Sequence, residues 1–175
     1  MIRLLLTLLA AVTLVWADVP TAFRDSGIVP EIIPEPPSEI ADIAYKRFQA
    51  RLGNEAEKSE VENAPRIVWN TDGTSLHTML MIDPDAPGNG AFLHWLVVNI
   101  PGSRVPKADT IVTYYPPTPL AGTGPHRYIF LAYKQQEEIS EDLTPPSRSG
   151  FVIGDFLEEN HLGNPVAGNF FTVTG

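Results

Sequence analysis

The stretch Met79-Leu80-Met81-Ile82-Asp83-Pro84-Asp85-Ala86-Pro87, Gly88-Asn89-Gly90-Ala91-Phe92-Leu93, His94-Trp95-Leu96-Val97-Val98-Asn99-Ile100-Pro101 decides the fold of this chain. Two apolar runs flank a turn-rich segment. The runs are short, rich in Met, Leu, Ile and Val, and bounded by turn residues, which predicts strands and not helices. Asn89-Gly90 is the turn signal, because both residue types tolerate positive φ. Each run carries polar groups at the end where a buried strand reaches solvent: Asp83 and Asp85 on the first, His94 on the second. Returned as a hairpin, the two runs bring the carboxylates and the imidazole to one end of a sheet. If the backbone there is extended, Asp83 and Asp85 point the same way, with Cα atoms about 6.5–7 Å apart. Pro84 between them lacks an N–H and fixes φ, which places the pair at a strand end or edge.

Working outward, Leu76 to Asp83 alternates Leu76, Thr78, Leu80, Ile82 against His77, Met79, Met81, Asp83. Both rows are largely apolar, so this strand is expected to be buried on both faces. Ile67-Val68-Trp69, Ile111 to Tyr115, Arg127 to Gln135 and Phe170 to Val173 read as further strands. Residues 39–52 read as strands or as one helix. Residues 103–110 and 53–64 read as loops, and Phe23 to Ser26 as a single helical turn. Phe151 to His161 reads as an amphipathic helix with Phe151, Val152, Phe156 and Leu157 on its apolar side and Gly163 as its stop. The fold class is therefore mainly β: an antiparallel, sandwich-like domain with one or two short peripheral helices.

Composition sets the bounds. The chain has 175 residues, 43% hydrophobic and 19% charged, with 17 prolines and 13 glycines. That is one domain with a core and many turns. Residues 1–17 read as a secretory signal peptide. Arg3 precedes an uncharged apolar run from Leu4 to Trp16, and Val15-Trp16-Ala17 is a cleavage pattern, with cleavage after Ala17. The run is shorter than the ~20 residues of a spanning helix. The expected organisation is a signal peptide at 1–17, a proline-rich N-terminal segment at 18–37 and a domain at 24–175, secreted and extracellular. Removing residues 1–17 takes away Arg3 and no acid, moving the net charge from −9 to −10. An acidic surface opposes unaided binding to nucleic acid or anionic membranes. No cysteine and no Asn-x-Ser/Thr acceptor occurs, so neither disulfides nor N-glycosylation is expected.

Two blocks carry a family resemblance. Asp83-Pro84-Asp85-Ala86-Pro87 followed by His94-Trp95-Leu96-Val97-Val98-Asn99-Ile100-Pro101-Gly102 resembles the phosphatidylethanolamine-binding protein family. So does Gly122-Thr123-Gly124-Pro125-His126-Arg127-Tyr128, running into Phe130-Leu131-Ala132-Tyr133-Lys134-Gln135. The resemblance covers nearly all of the chain after residue 23. It implies a small anion pocket for phosphate or phosphoethanolamine-type phospholipid head groups, with no covalent chemistry, no catalytic residue and no cofactor. By position the pocket residues are Asp83, His94, Pro119, His126 and Tyr128.

The residues themselves support parts of that reading. Imidazoles can hold phosphate by donating N–H bonds. Asp83 can orient one imidazole and favour its cation. His126 and Tyr128 share strand parity. Gly122 and Gly124 are expected to let the backbone approach a ligand, and Pro119 to form a rigid wall. Asp85 is expected to pair with Arg127 in a structural role, because an isolated buried charge is costly. His126 is expected at the pocket rim.

The chain departs from the family pattern in two places. Gly88-Asn89 stands where the family typically has Ser-Arg, and the loop to His94 is shorter. Pro119 is followed by Leu120 where the family has consecutive prolines. No close His-x-x-x-His or Glu-x-x-His pair includes His94 or His126 to mark a metal site with Asp83, and no Gly-x-Ser-x-Gly elbow marks a serine hydrolase. The expected partner is an anionic small molecule or head group, the expected state monomeric. The alternative reading is a protease inhibitor or signalling modulator acting through protein contacts.

Overall fold

The two apolar rows of residues 76–83 separate onto the two faces of one sheet. The structure, a computed structural model, describes residues 18–140, 142–143 and 147–175. The signal peptide expected at 1–17 and the prolines at 145–146 lie outside the described residues. Strand β4 (Leu76–Asp83) lies at the centre, antiparallel to β5 (Ala91–Pro101) on one side and to β7 (Pro125–Lys134) on the other. β9 (Ala167–Thr174) follows β7, β6 (Asp109–Val112) edges β5, and β8 (Ser149–Phe151) also pairs with β5. β1 (Glu39–Ile40) joins β9 in parallel, so the seven-stranded sheet is mixed. β2 (Asp42–Ala44) and β3 (Arg66–Val68) form a separate two-stranded antiparallel sheet. Residues 39–44 are thus strands and not a helix.

Alternation along β4 explains the layers. Leu80 and Ile82 join Leu96, Val98, Ile129, Leu131 and Phe170 in one core, which also buries Phe23 and Phe156 from two short helices. Those are α1 (Val19–Asp25) and α2 (Ile153–Glu159). Met79 and Met81 join Trp95, Val97, Phe130 and Phe171 in a second core, closed by Ile43 of β2 and Ile67 of β3. A strand apolar in both rows must bury both faces, and this one does. No helix among the described residues is long and apolar enough to cross a membrane.

Several local expectations are corrected. The N-terminal helix is longer than one turn because Asp18 caps it: Thr21 N–H donates to Asp18 Oδ1 at 2.8 Å, and proline sits in the first turn, where its missing N–H is harmless. Phe151 belongs to β8. Val152 is half exposed, and Ile153 takes its place on the buried side of α2. That helix ends at Glu159 with Asn160 as its cap and His161 in the left-handed region; Gly163 does not have positive φ. The loop expected at 103–110 already contains a 3₁₀ turn, Val105–Lys107, and the start of β6. A second 3₁₀ turn, Lys58–Glu60, interrupts the loop at 53–64. Between β4 and β5 the positive φ values fall at Gly88 and Gly90 and not at Asn89.

Two β-bulges on β5 matter for function. Met81 pairs with Trp95 and Ile82 with Leu93, which leaves His94 as the extra residue. His77 pairs with Ile100 and Met79 with Val97, so Val98 and Asn99 together oppose Thr78. A bulge leaves a residue out of the ladder and re-aims its side chain.

Candidate functional site

Three strand ends meet where the sequence places its polar groups. Asp83 ends β4, His94 bulges from β5, and His126 and Tyr128 point the same way from the start of β7. They form the floor of a cavity of about 270 Å³. Ala86, Pro87 and Phe92 make one wall. Tyr115, Thr118, Pro119 and Leu120 make the other. Pro119 is held from behind: Lys58 Nζ donates to its carbonyl at 3.1 Å.

Asp83 and Asp85 do not point the same way. The backbone turns at Pro84, and the two carboxylates engage neighbouring residues of β7, whose side chains alternate. Asp83 Oδ2 lies 2.7 Å from His126 Nδ1, while Asp83 Oδ1 accepts from the Asp85 N–H at 2.8 Å. Asp85 takes Arg127: Nε donates to Oδ2 at 2.9 Å, Nη2 to Oδ1 at 2.7 Å, and the backbone N–H to Oδ2 at 2.8 Å. Arg127 Nη1 then donates to the Ser26 carbonyl at 2.8 Å, tying the C-terminal end of α1 to the site. Burial works to raise the Asp85 carboxyl, but the hydrogen bonds and charge of Arg127 outweigh it and hold the group below the usual carboxylate range.

His126 is interior and not at a rim. It is 2% exposed and both ring nitrogens are engaged. Nε2 lies 2.8 Å from Thr123 Oγ1, which itself donates to the Leu120 carbonyl at 2.7 Å. His126 therefore has no N–H left for a ligand. Removing it would strand a buried carboxylate, so the fold depends on it.

His94 differs. Its Nδ1 lies 2.7 Å from the Tyr115 carbonyl, which can only accept, so Nδ1 carries the proton. Burial is the main force on this imidazole and pushes it below its ordinary value, against the Tyr115 carbonyl and Asp83; Arg148 and His126 push the same way as burial. The neutral ring then offers Nε2 as an acceptor, and no described residue donates to it. The Tyr128 hydroxyl is also buried and makes no hydrogen bond within 3.5 Å, although Asp83 lies close enough to act on it. Burial first, and then the Asp83 charge, push this phenol well above its ordinary value, so it stays protonated.

Gly122 and Gly124 do not line the cavity. Both have positive φ, which the turn uses, and a Cβ at either would meet nothing within 4 Å. The wall residues Phe92, Tyr115 and Thr118 carry no motif signal, and neither does Arg148. Arg148 sits behind the site, donating to the carbonyls of Leu93, His94 and Thr113 at 3.2, 3.0 and 2.8 Å, with its guanidinium 5.7 Å from the Tyr115 ring. Among the described residues no three His, Asp or Glu side chains converge as a metal site.

Comparison with known proteins agrees with this architecture. A family model described as phosphatidylethanolamine-binding protein matches residues 40–171. A 26 kDa secreted antigen of Toxocara canis is 35% identical over 161 residues, covering 85% of this chain; the chain spans 62% of that protein's length. A Drosophila melanogaster protein named odorant-binding protein A5 is 35% identical over 160 residues, covering 85% of this chain and 76% of the relative. Among solved structures, the inhibitor of carboxypeptidase Y in complex with its cognate proteinase superposes with a TM-score of 0.75 at 24% identity, covering 87% of this chain and 92% of the other; the likeness is one of fold.

Proposed function

This chain belongs to the phosphatidylethanolamine-binding protein family, and from that premise we propose that it is a secreted binding protein whose cavity takes a phosphate-bearing head group without covalent chemistry. The observation that carries the reading is the pair of uncommitted polar groups on an otherwise saturated floor: the Tyr128 hydroxyl and His94 Nε2. Buried polar groups are normally partnered, so an unpartnered hydroxyl lining a cavity marks a place for a ligand. The apolar walls shield a small anion from water and strengthen each hydrogen bond to it.

Charge adds a condition. Among the described residues no Lys or Arg lines the cavity, and Asp83 in its floor is already paired with His126. An anion therefore enters favourably only with a proton, carried by His94 or by the ligand. Affinity rises as pH falls. Calorimetric titration with phosphoethanolamine at about pH 6 and about pH 8, bracketing the imidazole range, tests this. Tighter binding at the lower pH supports the site; tighter binding at the higher pH, or none at either, rejects it.

A second reading, protease inhibition or signalling through protein contacts, draws on the exposed Tyr115 and Leu120 at the cavity mouth. Under it, substitutions at Tyr115 and Leu120 abolish a stoichiometric protein complex while Tyr128→Phe leaves that complex intact.

A further inference from the structure

The loop between β4 and β5 carries a reactive pair of residues. We propose that Asn89-Gly90 is a spontaneous modification site, where water converts Asn89 to aspartate and isoaspartate through a cyclic imide.

The Gly90 backbone nitrogen bonds to Asn89 Cγ, the Cγ–Nδ2 bond breaks, and Nδ2 leaves as ammonia with the Gly90 amide proton. Water then opens the imide. Addition at Cγ gives aspartate. Addition at the main-chain carbonyl carbon of residue 89 gives isoaspartate, whose backbone runs through the former side chain and gains one methylene.

The structure leaves this pair open to the reaction. Asn89 and Gly90 are both exposed, and the Gly90 N–H donates to no backbone carbonyl among the described residues. No described residue bonds the Asn89 side-chain amide. Gly90 has φ 96° and no Cβ to shield its nitrogen. A larger residue does not fit there, because a Cβ would lie 3.0 Å from the Gly150 carbonyl carbon and the Phe151 carbonyl oxygen of β8.

The other asparagines each lack a condition. Asn54, Asn70, Asn99, Asn160 and Asn169 donate hydrogen bonds from Nδ2. Asn63 precedes Ala64, whose Cβ crowds the approach, and Asn164 precedes Pro165, which has no N–H. Asp72-Gly73 is the internal contrast, a similar pair in another turn. Asp72 accepts from Ser75 Oγ at 2.6 Å, from the Ser75 N–H at 2.8 Å and from the Thr74 N–H at 2.9 Å, while the Gly73 N–H donates to Thr71 Oγ1 at 3.4 Å. Ser75 first, and then Thr74, hold that carboxyl well below its usual range, so it stays ionised and resists attack.

Either product adds a negative charge to a loop whose Pro87 lines the cavity. Isoaspartate also lengthens the backbone where Gly90 packs on Gly150 and Phe151.

Incubation of the full chain in mildly alkaline buffer, with peptide mapping by mass spectrometry, tests this. Residue 89 is expected to be the first asparagine converted, with isoaspartate among the products. Its rate should lie within about tenfold of that in a synthetic peptide of residues 84–94. Asp72 should keep its aspartyl form in the folded chain while a peptide of residues 67–78 isomerises. Asn89→Gln, which has to close a larger ring, should abolish the conversion. Conversion slower than in the peptide by more than about tenfold, another asparagine changing first, or Asp72 isomerising as fast as residue 89 changes overturns the proposal.

Discussion

The two ends of strands β4, β5 and β7 make an instructive pair. Both carry buried polar side chains, and at both a bulge on β5 delivers the central one: His94 at one end, Asn99 at the other. At the far end the side chains of Asn99 and Gln135 use every valence. Gln135 Oε1 accepts from Thr78 Oγ1 at 3.0 Å and from the Asn99 N–H at 2.8 Å, and Gln135 Nε2 donates to Asn99 Oδ1 at 2.8 Å and to the Glu137 carbonyl at 2.9 Å. Asn99 Nδ2 donates to Asp109 Oδ2 at 2.7 Å and to the Ile139 carbonyl at 2.8 Å, and Asn99 Oδ1 also accepts from the Ile139 N–H at 2.9 Å. At the cavity end Asp83 and His126 are saturated, while Tyr128 and His94 each keep one group free. The same scaffold thus holds a closed network that fixes a loop and an open one that awaits a ligand. Buried polarity alone does not mark function, and neither does an unfilled group by itself: Trp69 Nε1 and Tyr133 Oη are also buried without a partner, but only Tyr128 lines this cavity.

The largest expected effects break the saturated groups. Asn99→Ala empties the closed network and puts a Cβ-bearing residue without a side-chain hydrogen bond at φ 57°. It should lower stability by about 2–4 kcal/mol and leave ligand affinity unchanged. His126→Ala should cost a similar amount by leaving Asp83 buried and unpaired, and it should also weaken binding. Urea denaturation with titration of each variant decides whether the two ends differ in this way. Arg127→Ala comes next. Its bidentate pair with Asp85 is partly exposed, so about 1–3 kcal/mol is expected, less than for a fully buried pair. An unchanged denaturation midpoint would mean the pair adds nothing.

Acid should weaken the free protein. Burial is the main force lowering His94 and also His77 below the ordinary imidazole value. Groups of this kind contribute stability that is full above about pH 6.5 and declines as pH falls through their lower folded values. The lowered Asp85 carboxyl holds its contribution down to about pH 4 and loses it at more acid values. Ligand binding should oppose the imidazole part of that loss, because the complex holds the extra proton. Thermal midpoints with and without phosphoethanolamine between about pH 8 and pH 5 read the difference. A gap that narrows toward acid would break the comparison. The smallest effect on stability is expected from Tyr128→Phe, within about 0.5 kcal/mol of wild type or slightly stabilising, because the hydroxyl it removes has no partner. Affinity should nevertheless fall several-fold.

Much of this was legible in the sequence. The double apolar row of residues 76–83 located the central strand, and the two motif blocks brought Asp83, His94, His126 and Tyr128 to one sheet end. What was not legible came from backbone detail. Parity predicts that Asp83 and Asp85 share a face, but the turn at Pro84 sends them to His126 and Arg127 on opposite sides. No periodicity reveals that His94 is a bulge residue. His126 reads as a rim residue because it stands beside a turn, yet Thr123 folds back to cap it. Tyr115, Thr118 and Arg148 come from segments with no pattern of their own, placed only once the sheet exists.

The central claim is that His94 Nε2 and the Tyr128 hydroxyl together receive a phosphate-bearing ligand. The most direct measurement follows the imidazole ¹H–¹⁵N resonances of His94 and His126 during titration with phosphoethanolamine at about pH 6. The account predicts that the His94 Nε2 signal moves in a saturable way, that Tyr128→Phe weakens the response, and that the His126 nitrogens, already engaged, shift far less. A saturable response at His126 with His94 unmoved, or binding that perturbs neither ring, would contradict it.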